Sequence, residues 1–552
     1  MHRFAKDKYT NTQMPKTSKV PRLSYAIPLE EQREQLKADG LMLRFAASRR
    51  HLSTDSYRPR YHFVSPESTL NDPNGLCFWQ GRWHLFYQAY PPEDPRQHWG
   101  HAISDDLIHW SDLPYAIYPD PEYACFSGST LVEDNRVIAM YHGTEDGDRV
   151  ARSGYGNMVA VSSDPFLLDW EKVTGKAVIP DNRTDGVTVF DPCIWKRDGV
   201  YYSLSGGMLP CGTAGRSERR LFLQHSRKVA HFLFRSQDLK TWEYLHPFVE
   251  GGDLFSLLGD DGACPYFWPL GDRHVLLFTS HMSGPKYLLG DYDTARDKFV
   301  VTSGGRFAFG AGCNPGGIIA PSATPDGQGG VFVLFNVSSA KPTESWNQIM
   351  SLPRRLSLLS KDEIAMEPAG DIASLRADHS HLGALALPAN QEIVLTGVQG
   401  NVVEISAEID PQNAPLIEMN VLRSPGKEEF TRIAFYRQRG YVNWDRFTSW
   451  KAEQWFGACD SLITLDSSYS SVLPDVLSRA PETAPVYLKP DEPLQLRVFI
   501  DKSIVEVFVN GRQCVALRVY PGRTDSVGVS LRAQGSDAAL LALDVWQMKS
   551  IY

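Results

Sequence analysis

The 552-residue sequence predicts an all-β protein, a β-propeller followed by a C-terminal β-sandwich. Three observations carry this. From about residue 60 the chain becomes a succession of strand-length runs, among them GRWHLFYQAY, NRVIAMYHG, GVYYSLSGG and HVLLFTSH. Each is rich in aromatic or β-branched residues and bounded by Gly, Asp or Pro. A repeat recurs among them: Ser104–Trp110 (SDDLIHW), Ser163–Trp170 (SDPFLLDW) and Ser236–Trp242 (SQDLKTW), with tryptophans 60 and 72 residues apart. Units of a few strands at such a period suggest propeller blades with long insertions, although uneven spacing also fits β-turns alike by chance. Finally, EIVLTGVQGNVVEISAEI, LQLRVFI, SIVEVFVNG and SVGVSLRA alternate with period two, the pattern of two antiparallel sheets packed face to face.

The elements follow in order. Residues 28–50 read as one helix, with Pro28 near its first position, acidic residues in the first turn and Arg at the end. A chain of this length exceeds one hydrophobic core. The expected division is an N-terminal extension with a helix (1–56), the propeller (57–362), a linker (363–382) and the sandwich (383–552). Residues 369–386 read as a connector with a short helix.

The net charge of −9, without a basic stripe, argues against nucleic acid as a partner. No stretch approaches 18 consecutive apolar residues, so no membrane span is expected. The opening MHRFAKDKYTNTQMPKTSKVPR has neither an apolar core nor a small-residue cleavage site, which reads as cytoplasmic. The eight cysteines form no CxxC pair and have no His at ligand spacing. Buried, reduced thiols are expected, with no metal or other cofactor. His98, His101, His109, His142 and His281 read as hydrogen-bonded structural histidines. The 13 Trp and 23 Tyr suit a large β-rich core and equally suit flat faces for sugars.

The chemistry lies in a series of short motifs. Asn71-Asp72-Pro73-Asn74-Gly75 reads alone as a turn or as a site. Downstream come Phe86-Tyr87-Gln88, Trp99-Gly100-His101, Phe126-Ser127-Gly128-Ser129, Asp191-Pro192 and Cys264-Pro265. Ser351–Leu358 (SLPRRLSL), Asp501–Phe508 (DKSIVEVF) and Val519-Tyr520-Pro521 close the series. In this order and spacing the set resembles glycoside hydrolase family 32, the invertase, inulinase and levanase family. The resemblance runs from about residue 60 through nearly all of the chain. It implies a five-bladed propeller with an axial funnel for a β-fructofuranosyl unit. It implies Asp72 as nucleophile, Asp191 as transition-state stabiliser, and Asn71, Gln88, Trp99, Phe126, Ser127 and Cys264 as pocket residues. The expected activity is retaining hydrolysis of β-fructofuranosides such as sucrose, fructo-oligosaccharides or fructans. Fructosyl transfer and fructoside binding without catalysis are the alternatives, and arabinan-cleaving propellers are the runner-up class. Homo-oligomer contacts through the sandwich fit the resemblance, and Glu506 is read as structural.

Physically, retention needs a carboxylate about 5 Å from a group that holds a proton near neutral pH. Here the sequence departs from the family. The acid/base Glu expected directly before Cys-Pro is Ala263, within Asp260-Asp261-Gly262-Ala263-Cys264. Lacking an acid costs about 10²–10⁴-fold. Three accounts are open: an engineered Glu→Ala change, a natural branch using Asp261 with Asp260 in reserve, or a binding module. The Arg expected before Asp191 is Phe190, and Gly310–Gly317 (GAGCNPGG) stands where an Asp-Tyr-Gly motif is expected. Changes at three places favour natural divergence. An apolar Phe190 wall suits a displaced acid and points away from the terminal fructose of sucrose.

Overall fold

In the computed structural model, residues 17–144, 154–181, 187–210, 227–309, 315–444, 446–477, 479–489 and 491–552 are described. Among the described residues five sheets precede residue 370, antiparallel throughout except that the short Val249–Glu250 strand pairs parallel with Lys298–Arg306. Their innermost strands are Leu70–Trp79, Ala124–Glu133, Cys193–Arg197, Ala263–Leu270 and Ile318–Pro325. Each packs against the next and the fifth against the first, so the blades close into a five-membered ring. Splitting the strands among blades leaves each sheet only a short outer edge.

The ring is joined by polar contacts as well as apolar ones. The Tyr266 hydroxyl on blade IV donates to Gly128 O on blade II at 3.0 Å and accepts from Gly75 N on blade I at 3.1 Å. It lies 3.0 Å from Ser322 Oγ on blade V, which accepts from Leu76 N at 2.9 Å. Tyr266 is buried, so each of these groups would otherwise be an unpaired polar atom, at about 1–3 kcal/mol apiece.

The S…D…W repeat is the outer turn of successive blades. Asp106 and Asp238 each accept two backbone N–H groups of their own turn, from Ile108 and His109 and from Lys240 and Thr241, and Asp164 accepts three, from Phe166, Leu168 and Asp169. Leu107, Leu167 and Leu239 then adopt left-handed φ values of 70°, 52° and 64° and bury their side chains. That backbone region is costly for Leu, and the Asp caps together with leucine burial offset the strain. The recurrence is therefore structural, blade by blade, and not chance likeness.

The sequence expectation of one helix over 28–50 is corrected to two, Leu29–Ala38 and Gly40–Leu52. Asp39 stays extended and caps the second, its Oδ1 accepting from Leu41 N and Met42 N at 2.7 and 3.2 Å. Arg49 on the second helix grips Asp112 on blade I with two hydrogen bonds, at 2.5 and 2.6 Å.

The stretch expected as a linker, 363–382, is mostly strand. Glu363–Pro368 is the outer strand of blade V, and Arg376–Leu382 pairs with Ala538–Met548 at the edge of the sandwich. Only a short 3₁₀ turn at Ile372–Leu375 intervenes. Two sheets follow and enclose an aliphatic core that includes Ile405, Ile417, Val498, Ile500, Val507 and Leu531. A second core runs across the domain junction, where Phe499, Ile504 and Phe508 pack with Val333, Phe335 and Leu356 of blade V.

At that junction lies a buried charge network. Asp501 accepts from the backbone N–H groups of Arg60, Tyr61 and His62 at 2.7–2.9 Å, and from His62 Nδ1 at 2.9 Å. Glu506 takes His62 Nε2 at 3.2 Å, Leu352 N at 2.7 Å and Arg354 Nη2 at 2.9 Å.

Candidate functional site

In a propeller the innermost strands run side by side around the axis, so residues near their starting ends converge on one mouth. Asn71 and Asp72 lie near the start of the first inner strand, Phe126 and Ser127 near the start of the second. Asp191 precedes the third, and Ala263 and Cys264 open the fourth. Near these ends the pairing slips, between Leu70 and Pro73, Cys125 and Gly128, Ala263 and Tyr266, and Ile318 and Pro321. Such bulges leave residues out of the ladder and re-aim their side chains. The Asn71–Gly75 motif is thus part of a bulged strand and not a β-turn. Gly75 is required there: its φ is +50°, and a Cβ would lie 2.5 Å from Thr130 Cγ2. Asp191 and Cys264 also hold left-handed φ values of 45° and 50°, the kind of strain that clusters at functional sites.

The carboxylates are brought together. Asp72 Oδ2 accepts from Ser127 Oγ at 2.6 Å and Gln88 Nε2 at 3.3 Å, and Gln88 Nε2 also donates to Ser127 Oγ at 2.7 Å. The Cys264 thiol lies between the two acids, 3.7 Å from Asp72 Oδ2 and 3.6 Å from Asp191 Oδ2. All these donors fall on one oxygen of Asp72; among the described residues Oδ1 receives none. Burial first, and then the Asp72 charge, lift the Asp191 carboxyl to about 7. Burial and both carboxylates push the Cys264 thiol well up, so it stays a neutral donor.

The other expected residues are placed as follows. Asn71 Nδ2 donates to the Tyr90 hydroxyl at 2.7 Å, and Asn71 Oδ1 accepts from Gln348 Nε2. Trp99 is fully buried and supports the wall from behind, its Nε1 donating to Phe126 O at 2.9 Å. The half-buried Phe126 sets its ring edge-on to His142. Asp261 does not touch Asp72 or Asp191. Its Oδ2 lies 2.6 Å from His281 Nδ1, and its Oδ1 accepts from His281 N at 3.3 Å. Asp260, the reserve acid, is buried away from the mouth, held by Leu257 N at 2.7 Å, Ser283 Oγ at 2.5 Å and Lys286 at 3.5 Å. Ala263 is fully buried and packs with Cys264, Ala320 and Phe190 in a small apolar cluster. The replaced Asp-Tyr-Gly segment lies largely outside the described residues.

Of the histidines, His98, His101, His109 and His142 all hydrogen-bond within the fold, to Arg96 O and Ser18, to His84, to Asp106 and to Asn157. No group of three or more metal-ligating side chains occurs among the described residues. Six cysteines, Cys77, Cys125, Cys193, Cys264, Cys459 and Cys514, are free and buried, while Cys211 and Cys313 lie outside the described residues.

A ring of blades that delivers paired acids to its axial mouth, with aromatic and amide groups around them, is the arrangement of a propeller glycosidase. The chain belongs to glycoside hydrolase family 32: residues 62–368 match the "Glycosyl hydrolases family 32 N-terminal domain" and residues 371–547 the "Glycosyl hydrolases family 32 C terminal" domain. It is 27% identical to the levanase of Bacillus subtilis over 538 residues, covering 90% of this chain and 71% of the levanase. Similarity to the fructan 6-exohydrolase of Beta vulgaris is 26% over 575 residues, covering 90% and 87% of the two chains. The structure also resembles that of fructan 1-exohydrolase IIa from Cichorium intybus, solved with 1-kestose, at a TM-score of 0.72 and 22% identity, covering 90% and 98%.

Proposed function

We propose that the protein is a retaining β-fructofuranosidase acting on fructo-oligosaccharides or fructans. The observation that carries this is the clamp on Asp72, in which Ser127, Gln88 and Cys264 hold Oδ2 and leave Oδ1 for attack on the anomeric carbon. Asp191, one thiol away, binds sugar hydroxyls and stabilises the oxocarbenium-like transition state. Asn71 and Phe126 line the pocket, with Trp99 behind. Levanase and fructan 6-exohydrolase among the relatives support a fructan-type substrate.

On this reading Ala263 marks a natural loss of the family acid. The packing of Ala263 against Phe190 supports it, because the two departures fit each other: a Glu at 263 would have to enter space that the Phe190 ring borders. Proton supply then falls to the Asp261 side of the mouth. The reading is tested by product analysis with sucrose, 1-kestose, inulin, levan and an arabinofuranoside. Fructose release from the fructans and none of arabinose is expected. Arabinose release, or no cleavage of any fructoside, would overturn it.

A further inference from the structure

We infer that His281, held by Asp261, is the proton donor to the leaving group. The inference rests on the proposed β-fructofuranosidase reading and names the group that fills the role left empty at Ala263. In blade IV the register sets Ala263 opposite Thr279. Two residues further out on each strand, past the paired segment, Asp261 meets His281 at 2.6 Å. Asp261 and Gly262 precede the inner strand, with Gly262 at a left-handed φ of 68°, and His281 follows the end of its partner strand. The Asp261–His281 pair therefore stands at the mouth end of the hairpin that carries Ala263.

His281 is suited to the task. Its side chain is 66% exposed, so a sugar entering the mouth can reach it, whereas Asp261 is only 19% exposed. Nδ1 is engaged by Asp261, which fixes the ring and makes Nε2 the nitrogen that donates in the proposed step. The Asp261 hydrogen bond acts against burial and is aided by the charges of Asp261, Asp191 and Asp72; together they lift the imidazole to about 9. His281 is thus protonated at neutral pH. In the opposite direction, His281 holds down the Asp191 carboxyl while Asp261 raises it, so the pair and the acids share one electrostatic site. His231, behind Asp261, is pushed down to about 4 by burial and carries no competing proton. Asp261, whose oxygens are both committed to His281, acts as a positioning residue.

The step balances. Asp72 Oδ1 forms a bond to the anomeric carbon as the glycosidic C–O bond breaks, and the departing oxygen takes the proton from His281 Nε2. Water then attacks the same carbon, returns its proton to the neutral imidazole and releases the Asp72 carboxylate.

The test is the pH dependence of kcat/KM for the wild type, His281→Gln and Asp261→Asn. It uses 1-kestose and fructosyl fluoride, whose leaving group needs little protonation. For the wild type on 1-kestose, the alkaline limb is expected near pH 9. His281→Gln should lose about 10²–10⁴-fold on 1-kestose and far less on the fluoride, whose turnover also reports that the variant is folded. Asp261→Asn should move the alkaline limb down toward that of an ordinary imidazole. Unchanged 1-kestose turnover in His281→Gln would overturn the inference, as would an alkaline limb near pH 7 that follows Asp191 in every variant. Failure of the wild type on both donors would instead overturn the proposed function.

Discussion

Asp72→Asn is expected to fold as the wild type does and to lose fructoside turnover by about 10⁴–10⁶-fold, the range seen when a covalent nucleophile is removed. The amide accepts the Ser127 hydrogen bond as the carboxylate does, so the clamp survives while the attacking oxygen becomes a poor nucleophile. The loss should appear in kcat, with sugar binding retained, because the substitution leaves Asn71, Gln88 and Ser127 in place. Matched thermal melts and steady-state kinetics decide it; wild-type-like turnover would remove Asp72 from the mechanism.

The second large effect concerns folding. Glu506→Ala is expected to destabilise the protein by about 3–5 kcal/mol, since Arg354 would be left buried without its anion and His62 would lose one of its two carboxylate partners, keeping Asp501. Burial alone would raise the Glu506 carboxyl, but the His62 hydrogen bond, the Arg354 charge and the Leu352 N–H outweigh it and hold it below the ordinary range. A lowered carboxyl stabilises the fold above its unfolded value, and that stability is lost as pH falls toward the folded value. Burial would lower His62, and hydrogen bonds to Asp501 and Glu506 win and raise it. A raised imidazole stabilises below its unfolded value, and that share fades as pH rises through the folded one. Denaturant melts across pH should therefore lose stability on both flanks, with the acid flank flattened in Glu506→Ala. A loss below 1 kcal/mol would show that the network is dispensable.

Much of this was legible in the chain. The alternating runs and the S…D…W repeat point to blades because each Asp caps a turn that sends the following Leu inward. Asp72 and Asp191 stand in motifs whose residue order survives without any structure. The blade V boundary was not legible, because Glu363–Pro368 is a six-residue edge strand that buries only Ile364 and Met366, and Arg376–Leu382 buries nothing on either face and so lacks an alternation. The break at Asp39-Gly40 could have been read from that breaker pair, but the continuous run of helix formers concealed it. His281 is hydrogen-bonded within the fold, as the sequence reading expects. Its partnership with Asp261 spans 20 residues and depends on the hairpin register, which no local pattern reveals.

The central claim is that Asp72 forms a covalent bond to fructose. Its most direct test is rapid acid quench of the enzyme turning over a β-fructoside, followed by proteolysis and mass spectrometry of the peptide containing Leu70–Trp79. A hexosyl adduct on Asp72, absent in Asp72→Asn, is the result this account predicts. An adduct on Asp191, or turnover with no adduct on any peptide while a competent glycosidase control is labelled, would contradict it.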